Sequence, residues 1–270
     1  MQSFPITGVP RLRVSVPAGS VRITAVDGAT ETTVDLRPTR GGDDVVARLV
    51  EHATVAAEGD TVVVEVPGDR GLFRSRVPAV SCVVTTAADA VLELRVASAD
   101  VEVRGRVGDA TITTASGDVR LAESTGRVEV AAASGDVRLD LVAGALSVTT
   151  ASGDVEVTEV RGDLSTKSAS GDVRVAAAHG AVRHSSASGD LTLDTADGRS
   201  VTAQTMSGDV AIGVGAGVTA WLDLSAVSGQ VTSDLPVSDD RPDDAGDPLS
   251  LKVRTVSGDI SVRRTHRAGV

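Results

Sequence analysis

The sequence predicts an all-β protein: a single-chain, two-sided parallel β-solenoid with about 18 residues per coil and an irregular β-rich cap at its N-terminal end. Three observations predict it. From Gly108 to Gly198 a glycine recurs every nine residues without a miss. Every second one stands in Ser-Gly-Asp, at Gly117, Gly135, Gly153, Gly171 and Gly189, so the larger period is 18. Apolar residues recur at the second and fourth places after these glycines, as in Val119 and Leu121, Val128 and Val130, or Val137 and Leu139.

The second and fourth places share one face of a strand, because successive side chains alternate. Their neighbours Asp118 and Arg120, or Asp136 and Arg138, are polar. Each nonapeptide therefore reads as a short half-buried strand and a tight turn. A helix would need apolar spacings of three and four and would not tolerate so much Gly, Ser, Thr and Val. A triangular β-helix would need a sub-period of six, and the glycines give nine.

The heptapeptide ASGDVRL stands at 115–121 and again at 133–139. Its glycine supplies a turn with φ > 0 or a close backbone approach. The aspartates of the ladder, Asp118, Asp136, Asp154, Asp172 and Asp190, are expected to accept hydrogen bonds from turn amides, with the preceding serines doing likewise. Ala115, Ala133, Ala151, Ala169 and Ala187 form a column of small residues, expected at a corner where a larger side chain would collide. The ladder is a structural device.

Outside the regular stretch the unit loosens. Ser-Gly-Asp recurs at 207–209 and 257–259, and Ser-Gly-Gln at 228–230. An acidic insertion, DLPVSDDRPDDAGDP at 234–248, reads as an exposed loop. Upstream, AGSVRITAVDG at 18–28 is a degenerate copy of the unit, and 61–66, 81–86 and 91–96 read as strands. DDVVARLVEHA at 43–53 fits a short capped helix. The expected organisation is a capping segment over 1–97, solenoid repeats over 98–262 and a basic tail over 263–270. Nothing after Val262 resembles a cap, so the edge of the C-terminal coil is either covered by the acidic insertion or, the reading slightly preferred, paired in a homodimer.

Composition narrows the function. With two Phe, one Trp and no Tyr, the core must be aliphatic and thin. A net charge of −11 and this scarcity of aromatics exclude a nucleic-acid groove. A carbohydrate-active enzyme on a β-helix would need paired acids and aromatic platforms. Cys82, the single cysteine, reads as a buried thiol. No secretory signal and no apolar run of membrane-spanning length stands in the chain, so a cytoplasmic protein is expected.

Calcium-binding β-rolls use Gly-Gly-x-Gly-x-Asp turns, whereas this turn offers one carboxylate, with Arg120, Arg138 and Arg174 placed to offset Asp–Asp repulsion. No metal or other cofactor is expected. His184 falls in an inward column with Ile112, Val130, Val148 and Thr166 and reads as a hydrogen-bonded core residue, while His52, His179 and His266 have no metal-like spacing to it. Gly213-Val-Gly-Ala-Gly217 lacks the spacing and the helix of a phosphate loop. Arg263, Arg264, His266 and Arg267 could guard an edge or touch anionic lipid peripherally.

The VPAGSVRI unit at 16–23, followed by tandem ASGDV-type repeats over 98–262, resembles the toast-rack, or putative adhesin, family of bacterial β-strand-repeat proteins, a domain of unknown function. The resemblance implies a non-catalytic β-solenoid, in some members tied to envelope-stress sensing and membrane partners. It brings no catalytic residues. The reading that follows is a non-enzymatic scaffold or protein-interaction module whose partner the sequence does not name. A self-assembling solenoid that polymerises end to end is the alternative, and a carbohydrate-active enzyme on a β-helix is the outside one.

Overall fold

In the computed structural model, residues 1–39, 50–67, 79–235 and 248–265 are described. They form two compact units, Met1–Ala143 and Gly144–Val270. Both are built of β-solenoid coils.

In the first unit the strands are β1 (Gln2–Pro5), β2 (Arg11–Val26), β3 (Glu31–Pro38), β4 (Thr54–Glu58), β5 (Thr61–Glu65), β6 (Val80–Ala87), β7 (Val91–Val107), β8 (Ala110–Thr114), β9 (Val119–Ser124), β10 (Val128–Ala132) and β11 (Val137–Val142). The repeat pairs in register and in parallel: β8 with β10 through Ala110↔Val128, and β9 with β11 through Val119↔Val137. Both steps are 18 residues, so each coil carries two strands, one per ladder. Burial alternates along them, with Ala110 and Ile112, Val119 and Leu121, and Val128 and Val130 facing in. Such an aliphatic Leu or Val contributes about 1.5–3 kcal/mol on burial.

The degenerate copy at 18–28 lies within a coil. β2 runs parallel to β7 from Arg11↔Val91 to Thr24↔Arg104, and both bend through two ladders as single long strands. The expected capping stretch of 1–97 thus contains solenoid backbone of its own. On the other side of β2 lie β5 and β6. Antiparallel strands extend these: β4 on β5, and β3 then β1 on β6. The three strands read at 61–66, 81–86 and 91–96 are β5, β6 and the start of β7. The short helix read over 43–53 falls mostly outside the described residues.

The second unit holds β12 (Leu146–Thr150), β13 (Val155–Val160), β14 (Leu164–Ser168), β15 (Val173–Ala178), β16 (Val182–Ser188), β17 (Leu191–Ala196), β18 (Ser200–Ser207), β19 (Val210–Val214), β20 (Ala220–Ser228), β21 (Val231–Ser233), β22 (Leu249–Ser257) and β23 (Ile260–Arg264). Its coils follow sequence order up to β18 and β19. Then the order changes. β22 pairs with β18 on one side and β20 on the other, and β23 lies between β19 and β21. Among the described residues the last coil in sequence is therefore the penultimate coil in space, and residues 220–233 form the end of this stack. The edge expected at the C-terminal coil belongs instead to β20 and β21. The acidic insertion links the two coils, and its residues 236–247 lie outside the described ones.

Candidate functional site

The Ser-Gly-Asp ladder is the most repeated polar feature, and its geometry shows what its groups do. The N–H of Asp118 donates to Asp100 Oδ1 at 3.1 Å, and that of Asp136 to Asp118 Oδ1 at 3.2 Å. In the second unit Asp172 donates to Asp154, Asp190 to Asp172, Asp209 to Asp190 and Asp259 to Asp209, at 2.8–3.0 Å. Gln230, in the end coil, donates to Asp259 at 2.8 Å. The acceptor sits one coil away rather than in the same turn. The carbonyls of Asp118, Asp136, Asp172, Asp190, Asp209 and Asp259 also accept from a backbone N–H of the neighbouring coil, as Asp172 does from Val155. One oxygen of each of these acceptor carboxylates is thus a fixed part of the frame.

Arginine relief of this acidic column is partial. Arg120 reaches Asp118 at 3.5 Å and Arg138 reaches Asp136 at 3.3 Å, but Arg174 bonds Asp194 at 2.8 Å instead.

The glycines act in two ways. At Gly117, Gly135, Gly153 and Gly171 φ is not positive, against the left-handed turn the sequence allowed. Close approach is the reason for them: a Cβ on Gly135 would lie 2.0 Å from Gly117 O, and one on Gly171 2.0 Å from Gly153 O. At Gly189, Gly208, Gly229 and Gly258 φ is +137 to +148, and the positive φ itself demands glycine.

This difference reroutes a hydrogen bond. In the first kind of turn the glycine N–H points inward to a buried hydroxyl three residues earlier: Gly117 to Thr114 (2.9 Å), Gly153 to Thr150 (3.1 Å) and Gly171 to Ser168 (2.8 Å). In the second kind it joins the ladder, from Gly189 to Ser207 O, Gly208 to Ser257 O and Gly258 to Ser228 O. The strands lengthen accordingly, ending at Thr114, Thr150 and Ser168 in the first kind but at Ser188, Ser207 and Ser257 in the second. The hydroxyls of Ser186 and Thr205 are then left buried without a partner among the described residues.

The hydroxyl column was missed in the sequence, although Thr or Ser three places before most of these glycines was its signal. The alanine column was misplaced by one residue. Ala115, Ala133, Ala151, Ala169 and Ala187 are exposed, and the buried corner belongs to Thr114, Ala132, Thr150, Ser168 and Ser186. Because the alanine position faces outward, it takes Met206, Val227 and Val256 in the last coils, all exposed.

The other candidates resolve individually. His184 is buried, with Nδ1 2.8 Å from the Thr166 hydroxyl, and burial pushes its pKa down to about 4. Its neighbour in the next coil is Ala203, whose small side chain makes room for the ring. Cys82 is buried on β6, and desolvation, helped by Asp35, pushes the thiol up to about 12. His179 stands half-exposed between carboxylates, with Nδ1 2.8 Å from Asp197 and Nε2 3.8 Å from Glu159, which Arg161 also holds. A His–Asp pair can orient a general base, but here the second ring nitrogen faces another acid.

Gly213 and Val214 end β19, and the next turn offers carbonyls rather than amides: Arg264 donates to Gly215 O at 3.0 Å and to Val218 O. That geometry suits a cation, not a phosphate. Arg263 lies 3.6 Å from Asp194, so the described part of the basic tail is held by the protein. His266 and Arg267 lie outside the described residues. Among the described residues no cluster of three or more His, Cys, Asp or Glu could hold a metal, and no helix is long and apolar enough to cross a membrane. A shallow recess of about 10 Å³, lined by residues including Phe4, Ile6, Pro10 and Asp60, has room for about one water.

With the fold and ladder established, the comparisons define the class. The sequence matches the Toastrack DUF4097 family over residues 45–263, and the chain belongs to that family. No curated protein matches it. Among solved structures it is similar to a putative adhesin from Bacteroides fragilis, at 14% identity over 98% of this chain and 95% of that one, with a TM-score of 0.42. It is also similar to a putative lipid binding protein from Parabacteroides distasonis, at 11% identity, 98% and 96% coverage and a TM-score of 0.47. A putative cell adhesion protein from Clostridium sporogenes matches at 7% identity, 98% coverage of both chains and a TM-score of 0.28.

Proposed function

We propose that this protein is a non-enzymatic scaffold that binds a protein partner on the outer face of its solenoid. The observation that carries the reading is the use of the polar repeat. Carboxylate oxygens along the Asp column are taken by amides of adjacent coils, and hydroxyls at Thr114, Thr150 and Ser168 are taken by turn glycines. Groups committed to the frame in this way are poorly placed for chemistry, whereas the outward strand positions form regular, in-register rows.

Position-resolved photo-crosslinking of the full chain in cells tests it. Probes at Thr149, Lys167 and Gln204 report one sheet of the second unit, and probes at Thr158 and Thr192 report the other. A scaffold with a defined partner gives one discrete adduct confined to one sheet. Adducts spread evenly over both sheets, or turnover of a glycoside panel by the purified chain, would overturn the reading.

A further inference from the structure

The end coil of the second unit is built to meet another strand. Its side chains that face the core, Leu222, Leu224 and Ala226, are only half-buried, whereas Leu251 and Val253 in the preceding coil are fully buried. Its outward row carries Trp221, 69% exposed, and Val227, 80% exposed. Among the described residues β20 pairs only with β22. The hydrogen bond from Leu249 N–H to Thr219 O sets the alternation, so the peptide groups of Leu222, Leu224 and Ala226 point away from β22, to an edge that no described strand pairs. Natural edge strands are blunted by Lys, Pro or a bulge. β20, AWLDLSAVS, has no Lys or Pro and a single charge, Asp223.

We propose that β20 pairs antiparallel with β20 of a second copy, about a twofold axis through Leu224. Side chains directly opposite in an antiparallel pair point to the same side. In this register Trp221 of each copy meets Val227 of the other on the outer face. Leu222 meets Ala226 and Leu224 meets Leu224 on the inner face, extending the core. Asp223 faces Ser225, so no like charges oppose. The peptide groups of Leu222, Leu224 and Ala226 exchange hydrogen bonds with those of Ala226, Leu224 and Leu222. The contact is self-complementary, as a closed dimer requires. Charge favours a second copy over the chain's own acidic stretch 236–247, whose five Asp would crowd Asp223. The inference is independent of the scaffold reading, since it concerns only what covers the end coil.

Sedimentation equilibrium of the full chain at physiological salt, over a range of concentrations, tests the proposal with W221K, V227E and the double variant. The wild type should be a dimer. Each single variant should weaken it at least about tenfold, because the twofold axis applies each change twice. The double variant should return to within about threefold of wild type, because each introduced ammonium then faces an introduced carboxylate across the axis. A dimer indifferent to both single variants, a double variant weaker than either, or a mass that grows without limit overturns the proposal. So does a monomer that dimerises only after residues 236–247 are deleted, which would assign the edge to that segment.

Discussion

The N–H of Asp172 donates to the carboxylate of Asp154, eighteen residues earlier, at 3.0 Å, and the carboxylate of Asp172 in turn accepts from the N–H of Asp190 at 2.9 Å. Each acid is therefore both guest and host in a chain of bonds between coils. Stacking also brings carboxylates together at the strand spacing, about 4.8 Å. Bonding and repulsion act on the same side chain, and substitution separates them.

Asp172→Ala removes the acceptor of the Asp190 amide. The site is exposed, so water recovers part of the bond, and a loss of about 1 kcal/mol is expected in urea unfolding. Asp172→Asn keeps an acceptor oxygen and removes a negative charge, so its midpoint should match wild type or exceed it. Equal losses in the two variants would show that charge, not the bond, is what the ladder requires.

The two kinds of turn make opposite predictions for one substitution. Ser168→Ala strips the partner from the buried Gly171 N–H and should destabilise by about 1–2 kcal/mol. Ser186→Ala, one coil on, removes a buried hydroxyl that has no partner among the described residues. It should be neutral or stabilising, since an unpaired polar group is costly to bury. Thermal melts of the pair decide the matter. If Ser186→Ala is the more damaging, Gly189 keeps the inward turn and the change of turn is wrong.

How much of this could be read in the sequence follows from what repeats. Coils 18 residues apart occupy the same environment, so period, strand faces and glycine ladder were legible. The inward row Val119, Leu121, Val137 and Leu139 is where the pattern placed it. Corners were less legible because alternation breaks there, which is how the exposed alanines were exchanged for the buried Thr150 and Ser168. Coil order was not legible at all. Leu249, Leu251 and Val253 present the same alternating face as Leu222 and Leu224, so either coil fits either level. For the ladder itself the letters showed the residues but not the direction of their bonds, because Asp172 can bond its own turn or the next with equal ease in sequence.

Histidine 184 gives the fold a pH dependence. Burial holds its folded pKa at about 4, below the ordinary 6.5, so the folded state keeps the ring neutral. Below pH 6.5 the unfolded chain takes up a proton that the folded one refuses, and stability falls until the pH passes about 4. The full effect approaches about 3 kcal/mol. The carboxylates titrate in the same window, so the measurement is the difference between wild type and His184→Val combined with Thr166→Val, which also removes the hydroxyl on Nδ1. That difference should grow from pH 7 to pH 4 in favour of the variant. Parallel profiles would mean the ring is charged or solvated in the fold.

The changed coil order can be tested by cross-linking. Gln204, Arg254 and Ser225 all face outward on one sheet, with Gln204 beside Arg254 and Arg254 beside Ser225. Adjacent strands lie about 4.8 Å apart, within the Cα separation of about 4.4–6.8 Å that a disulfide spans. Gln204 and Ser225 are two strands apart, about 9.6 Å by that spacing, and beyond reach. Arg264 helps hold this arrangement, because its bonds to Gly215 O and Val218 O tie β23 to the segment that carries the chain to the end coil. Under mild oxidation, Q204C/R254C and S225C/R254C should therefore close intramolecular bridges, and Q204C/S225C should not. A stack that followed sequence order would reverse the first and third results, since Gln204 and Ser225 would then be neighbours. Cys82 does not confuse the assay, because it is buried on β6 with its thiol pushed up to about 12.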